Sequence, residues 1–193
     1  MSITETTAAE AVSPTAFGAA LRRLYVLRFA LAVVWAGLLL STAEDEGAFL
    51  TTLLVIYPLF DAAAVLWQLR AGPGRGRSRA AEWVNVVVSA AVAVAVGVAS
   101  THSIGAALAV WGIWAIAAGI PQLVTALRNR DAGGQVPQVL SGGISVLAGA
   151  SFLVQGLGDA DSMAGAAGYA TLGAVFFLIS AIRLRVVQRV RAA

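Results

Sequence analysis

Cysteine and lysine are both missing from this chain, and histidine occurs once. Without cysteine there are no disulfides, no thiol nucleophile and no thiolate metal site. A single histidine cannot build the common zinc sites, so neither a metal site nor a cofactor is expected. Charge is also scarce, at 12% of residues, against roughly 25% in a soluble domain. The one glycine-rich basic stretch, "AGPGRGRSR", lacks the Lys-Ser/Thr that completes a phosphate loop. Paired acids occur only in short connections, and no polar stretch is long enough to fold around a cofactor. The chain is therefore read as non-enzymatic.

What is abundant is apolar. Hydrophobic residues make up 59% of the 193, and the mean hydropathy is +0.83. A water-soluble fold this small keeps much of its surface exposed and could not hide so much apolar area. A bilayer removes the difficulty by solvating the apolar faces. Six apolar runs stand out, at Leu24–Leu40, Ala48–Leu69, Trp83–Ala99, Ser103–Leu127, Val136–Gln155 and Ser162–Ile182. Each has about the 17–25 residues that cross a hydrocarbon core of roughly 30 Å. Pro58 and Pro121 fall inside two of them, which is tolerable where neighbours satisfy the freed carbonyls.

Basic residues are all arginine, 13 in number, and they alternate along the chain. Arg22, Arg23 and Arg28 accompany the first run. Arg70, Arg75, Arg77 and Arg79 fill the second connection, Arg128 and Arg130 the fourth, and Arg183, Arg185, Arg189 and Arg191 follow the last run. The other connections hold Glu44, Asp45, Glu46, Asp159 and Asp161 instead. The positive-inside rule assigns the arginine side to the cytoplasm. Arginines at helix ends do not form the basic face that nucleic acid requires, so no nucleic-acid partner is expected. Reporter fusions at Glu46 and Gly158 should read external and those at Gly74 and Gly133 internal. Reversal at any two sites would end this topology.

The expected fold is all-α, a six-transmembrane-helix bundle built from three helical hairpin repeats, about 24–69, 83–127 and 136–182. Residues 1–20 are polar and lack the positive start and apolar core of a signal peptide. They are expected to be a disordered cytoplasmic tail before a membrane domain at 21–185, with a basic cytoplasmic tail at 186–193. The repeat rests on stripes at spacing four: Arg28, Ala32, Ala36; Ser89, Ala93, Gly97; and Ser141, Ser145, Gly149 on the odd helices. The even helices carry Tyr57 with Asp61, Trp114 with Ala118, and Tyr169 with Gly173. Small residues at such spacing let helix backbones approach.

The runs "LRFALAVVWAGLLL", "AAGIPQLVTALRNR", "LSGGISVLAGASFLV" and "AIRLR" resemble the HdeD-like bacterial membrane proteins, over Leu21 to Arg185. The early arginine of that family is matched by Arg28. Its Asp-Gly in the second helix is matched by Asp61, with Ala62 in place of glycine. Ser89 stands where the third helix often carries an acid, and the proline that commonly follows odd helices is missing. The resemblance implies a multi-pass protein of the bacterial inner membrane, associated with acid or stress resistance, and no established chemistry.

Ionisable groups at membrane depth cost about 2.5–3.5 kcal/mol each on insertion scales. Asp61 lies nine residues before Arg70, about 13 Å inside the boundary at 1.5 Å per residue. It is either a proton-binding carboxylate or a structural group paired within the bundle. Arg28, about 7 Å deep by the same rise, is its natural partner in an intramembrane ionisable pair. Side chains lean toward their own helix N-terminus, which tilts the two apart, and Arg28 could instead snorkel to the headgroups. His102, in a short outer connection, is a possible pH-responsive group. Gln122 and Gln155 are candidates for bonds across helices. Trp83, Trp111 and Tyr169 are candidates for the interface, while Trp35, Trp67 and Trp114 suit core or lipid. Three functions remain open: an HdeD-type stress-resistance protein, a small proton- or cation-coupled transporter or channel using Asp61, and a scaffold for another membrane protein. The expected partners are the bilayer and either a second copy or another membrane protein. A hydrated cavity at Asp61 would favour the transporter, and a dry centre a structural role.

Overall fold

A computed structural model describes residues 14–71, 76–128, 136–158 and 160–192. Six α-helices account for nearly all of them: α1 Pro14–Ser41, α2 Ala48–Ala71, α3 Gly76–Ala99, α4 Ile104–Arg128, α5 Val136–Leu157 and α6 Ala164–Ala192. No strand occurs among the described residues. All six helices are long and apolar enough to cross a bilayer. Their outward faces carry large apolar side chains such as Val34, Val94, Leu147 and Val154. Such a continuous apolar exterior is untenable in water and matches lipid, so the chain is a multi-pass integral membrane protein.

The start of the described chain differs from the sequence reading. The segment expected to be a disordered tail up to residue 20 is helical from Pro14. Proline suits the first turn of a helix, and the Ala and Leu that follow are strong helix formers. At the other end α6 continues through Arg183, Arg185 and Arg189 to Ala192, so the segment expected as a basic tail at 186–193 continues the last helix. Glu5, Glu10, Arg75, Arg130 and Asp159, with the fusion sites Gly74 and Gly133, lie outside the described residues.

The helices form a closed ring in chain order, each against the next, with α6 returning to α1. The contacts within the ring are uneven. The most extensive are α4 with α5, then α1 with α6 and α2 with α3. The hairpin partners α1–α2 and α5–α6 touch far less. Packing is thus concentrated between the hairpins expected from sequence, not inside them.

The α4–α5 seam has a chemical cause. Gly105, Gly112 and Gly119 recur every seven residues on α4, and Gly142, Gly149 and Gly156 do so on α5. The helices run antiparallel, so Gly105 meets Gly156, Gly112 meets Gly149 and Gly119 meets Gly142. A methyl group added to Gly112 would fall 2.6 Å from the Gly149 carbonyl oxygen, and one on Gly149 2.6 Å from that of Gly112. Backbone therefore rests on backbone, the close approach that glycine permits between membrane helices. The spacing-four stripe on α3 also faces a neighbour: a methyl on Gly97 would lie 3.0 Å from Val55 Cγ2.

The two halves of the ring are filled differently. Toward the acidic end, where Glu44, Asp45, Glu46 and Asp161 are exposed, the centre is solid. Leu39, Leu54, Val96, Leu108, Trp111 and Met163 are fully buried there. The connections above them are stitched together: Met163 N donates to Ala43 O at 2.8 Å, and the Thr51 and Ser100 hydroxyls meet at 2.9 Å. Toward the arginine-rich end the centre is hollow.

Candidate functional site

The hollow is a cavity of about 470 Å³ to which all six helices contribute. That volume lies in the range of small-molecule sites, roughly 300–1,000 Å³. The even-helix positions noted in the sequence converge on it: Tyr57, Asp61, Trp114, Ala118, Tyr169 and Gly173 all line it. Arg28, Ser141 and Ser145 join them from odd helices. Toward the arginine-rich end the lining turns to side-chain amides, with Gln68, Asn85, Gln122 and Gln138. Gln138 is exposed, so the hollow reaches that end of the bundle.

Near its inner end Arg28 Nη2 and Asp61 Oδ1 form an ion pair, with the two side chains 12% and 15% exposed. The sequence left this pairing open. Three neighbours hold it. Ser89 Oγ donates to Asp61 Oδ2 at 3.0 Å, and Trp114 Nε1 donates to Ser89 Oγ at 3.3 Å. On the other side, Arg28 Cζ sits 4.5 Å from the centre of the Phe177 ring, within range of a cation–π attraction. Both carboxylate oxygens are thus occupied, and the guanidinium, with five donors, retains spare capacity. Ser89, where the resemblance would place an acid, instead adds a donor to Asp61 without adding charge.

A second polar contact stands across the cavity. Ser145 Oγ donates to Ser141 O at 2.9 Å, which leaves its oxygen to accept from Tyr169 OH at 2.8 Å. Asn85 is different: its buried side-chain oxygen has no hydrogen-bond partner among the described residues, a rare state for a buried polar atom, and the residue lines the cavity.

An aromatic floor divides the cavity from the solid half. Trp35 stacks on Trp111 with centroids 5.2 Å apart and planes 9° apart. Trp111 meets Trp114 edge-on at 5.2 Å, and Tyr57 lies 4.4 Å from Trp35. Trp35 Nε1 donates to Leu53 O at 2.6 Å. That carbonyl is one residue from Leu54 O, which loses its helical donor because Pro58 has no N–H. Trp111 and Tyr169 were candidates for the membrane interface. Trp111 is instead fully buried and Tyr169 lines the cavity, because their stripe faces the ring centre. Trp83 is half exposed.

His102 is exposed in the turn between α3 and α4 at the acidic end and is not among the residues that line the cavity. Gln155 bonds within its own helix, to Ser151, and not across helices as the sequence had allowed. Among the described residues no three of His, Asp and Glu gather as a metal site would require. Of the groups around the cavity, Asn85, Gln68 and Gln138 went unnoticed in the sequence. Single amides near helix ends give no signal until the ring order is known. Compared with protein-family models, curated proteins and solved structures, the chain matches none at a significant level.

Proposed function

We propose that the protein is a small-solute carrier of the membrane, with the central cavity as its site and Asp61 as the group that takes up a proton or cation. One observation carries this reading: both members of the ion pair line a cavity that reaches the arginine-rich end and stops at the aromatic floor. A chain needing only rigidity could fill its centre with Leu and Val, as the acidic half does. Replacing a buried pair by well-packed apolar residues is often neutral or stabilising, so retaining it favours a use. A blind cavity conducts nothing as it stands, which suits an alternating carrier better than an open channel.

On this reading the arginine-rich end is cytoplasmic, and the described state faces inward. A proton or a cationic solute that neutralises Asp61 releases Arg28 from its counter-charge. The freed guanidinium then seeks another acceptor, and the pair works as a two-position element. The acid-resistance role implied by the HdeD-like resemblance fits the same element, because acid supplies the proton. The weakly packed interfaces α1–α2 and α5–α6 are where the ring can yield.

The lack of cysteine makes the test direct. Single cysteines at Ala118 and Gly173 should react with a membrane-impermeant thiol reagent applied from the arginine-rich side. A methyl added to Gly173 meets nothing within 4 Å, so the new side chain is accommodated. A cysteine at Leu108, which is 1% exposed, should stay unlabelled. Silence at both Ala118 and Gly173 in folded protein would sink the carrier.

A further inference from the structure

We propose that the groove between α1 and α6 at the arginine-rich end is a binding site for an anionic phospholipid. The inference is independent of the carrier reading and needs only that the ring sits in a bilayer.

A groove of about 630 Å³ runs along the outside of the ring where α1 and α6 meet. It is separate from the central cavity and shares no lining residue with it. Three arginines stand at its mouth: Arg22 and Arg23 from α1 and Arg185 from α6. None of them has a carboxylate partner among the described residues. The floor is apolar. Val26, Leu27 and Ile182 each leave about half of their surface uncovered, at 50%, 52% and 53%. Ala30 and Ala181, also in the lining, are small enough to leave the trough open between larger neighbours.

The order of these residues along the helices points to the ligand. From Arg22 to Ala30 is eight residues, about 12 Å along α1 at 1.5 Å per residue. From Arg185 back to Leu178 is seven, about 10 Å along α6. The helices are antiparallel, so both series begin at the arginine-rich end and descend together into the hydrocarbon. The groove is therefore charged only at headgroup level and apolar below it. An inorganic anion would use the mouth and leave the trough bare. A neutral lipid would fill the trough and leave three guanidiniums uncompensated. A phospholipid with net negative charge satisfies both, its phosphate accepting from the arginine forks and an acyl chain lying in the trough. Basic pockets between membrane helices recognise anionic headgroups in this way.

The test uses the full chain purified in detergent. Phosphatidylglycerol, phosphatidylcholine with the same acyl chains, and glycerol phosphate are added separately, and binding is read by native mass spectrometry and by the thermal unfolding midpoint. Phosphatidylglycerol alone should be retained and should raise the midpoint. In the triple variant Arg22→Gln, Arg23→Gln, Arg185→Gln its binding should weaken by roughly tenfold or more. A control triple at Arg128, Arg183 and Arg189, at the same end but outside the groove, should bind as the parent does. Filling the trough with Ala30→Trp, at an exposed position, should also weaken phosphatidylglycerol while leaving the arginines in place. Equal retention of phosphatidylcholine, full binding by glycerol phosphate, equal loss in the control triple, or a groove covered by a second copy of the chain at working concentration would each overturn the proposal.

Discussion

Gly112→Leu should lower the stability of the bundle by roughly 3 kcal/mol or more, at the upper end of what overpacking costs. Two effects oppose each other in this substitution. Leucine is the better helix former: glycine is about 0.8–1.0 kcal/mol worse than alanine, and leucine lies close to alanine. Against that gain, the first added carbon alone would fall 2.6 Å from the Gly149 carbonyl oxygen and 2.7 Å from Leu153 N. Both obstacles are backbone, which cannot rotate aside as a side chain can, so α4 and α5 must part. Overlap therefore wins. Gly149→Leu should behave alike, since its added carbon would meet the Gly112 carbonyl at 2.6 Å. Gly143, on the same helix as Gly149, supplies the contrast: nothing lies within 4 Å of a carbon added there. Gly143→Leu should be neutral or slightly stabilising. Thermal unfolding of the three variants in one detergent decides the matter. Similar midpoints for Gly112→Leu and Gly143→Leu would show that the α4–α5 seam does not hold the fold.

The second large effect belongs to the ion pair. Asp61→Asn keeps the shape of the side chain and removes its charge, leaving Arg28 mostly buried without a counter-charge. Breaking a buried pair from one side costs roughly 3 kcal/mol. The reverse variant, Arg28→Gln, should also lose stability, because it leaves the Asp61 carboxylate mostly buried without its counter-charge. The double variant Arg28→Gln, Asp61→Asn should regain most of the loss. An additive double variant would show that the pair contributes no coupling of its own. If Asp61 binds the coupling proton, the double variant should be stable and yet inactive in proton flux across liposomes, which separates stability from use.

The helices were legible because a bilayer leaves little choice: a run of about 20 apolar residues with charge at its ends has one solution. The centre was only half legible. Stripes at spacing four picked out Tyr57, Asp61, Trp114 and Tyr169 as a set, but spacing says which residues share a helix face and not what that face meets. The rise along α1 and α2 could not decide whether Arg28 reaches Asp61, because it says nothing of the other helices around the pair, such as α6, whose Phe177 ring lies 4.5 Å from Arg28 Cζ. The glycine seam escaped for a different reason. Antiparallel helices crossing at a shallow angle return to contact every two turns, so the informative period was seven. It becomes visible only when Gly105, Gly112 and Gly119 are read against Gly156, Gly149 and Gly142 in reverse order. The start of α1 at Pro14 was missed because hydropathy reports the thickness of the solvent and not the persistence of backbone hydrogen bonds.

The uneven ring also bears on biogenesis. The chain between α2 and α3, and that between α4 and α5, joins the extensively packed pairs at the arginine-rich end, and α6 and α1 make the third pair at that same end without any covalent link between them. The polypeptide is in effect a circle cut open at one of its three tight joints. Because synthesis runs from α1 to α6, α1 leaves the ribosome well before its principal partner exists. Until then Tyr25 and Arg28, which meet Phe177 of α6 in the finished ring, lack that neighbour. Closure of the ring therefore waits for α6, and until α6 has been made α1 stays without the helix it packs against most extensively.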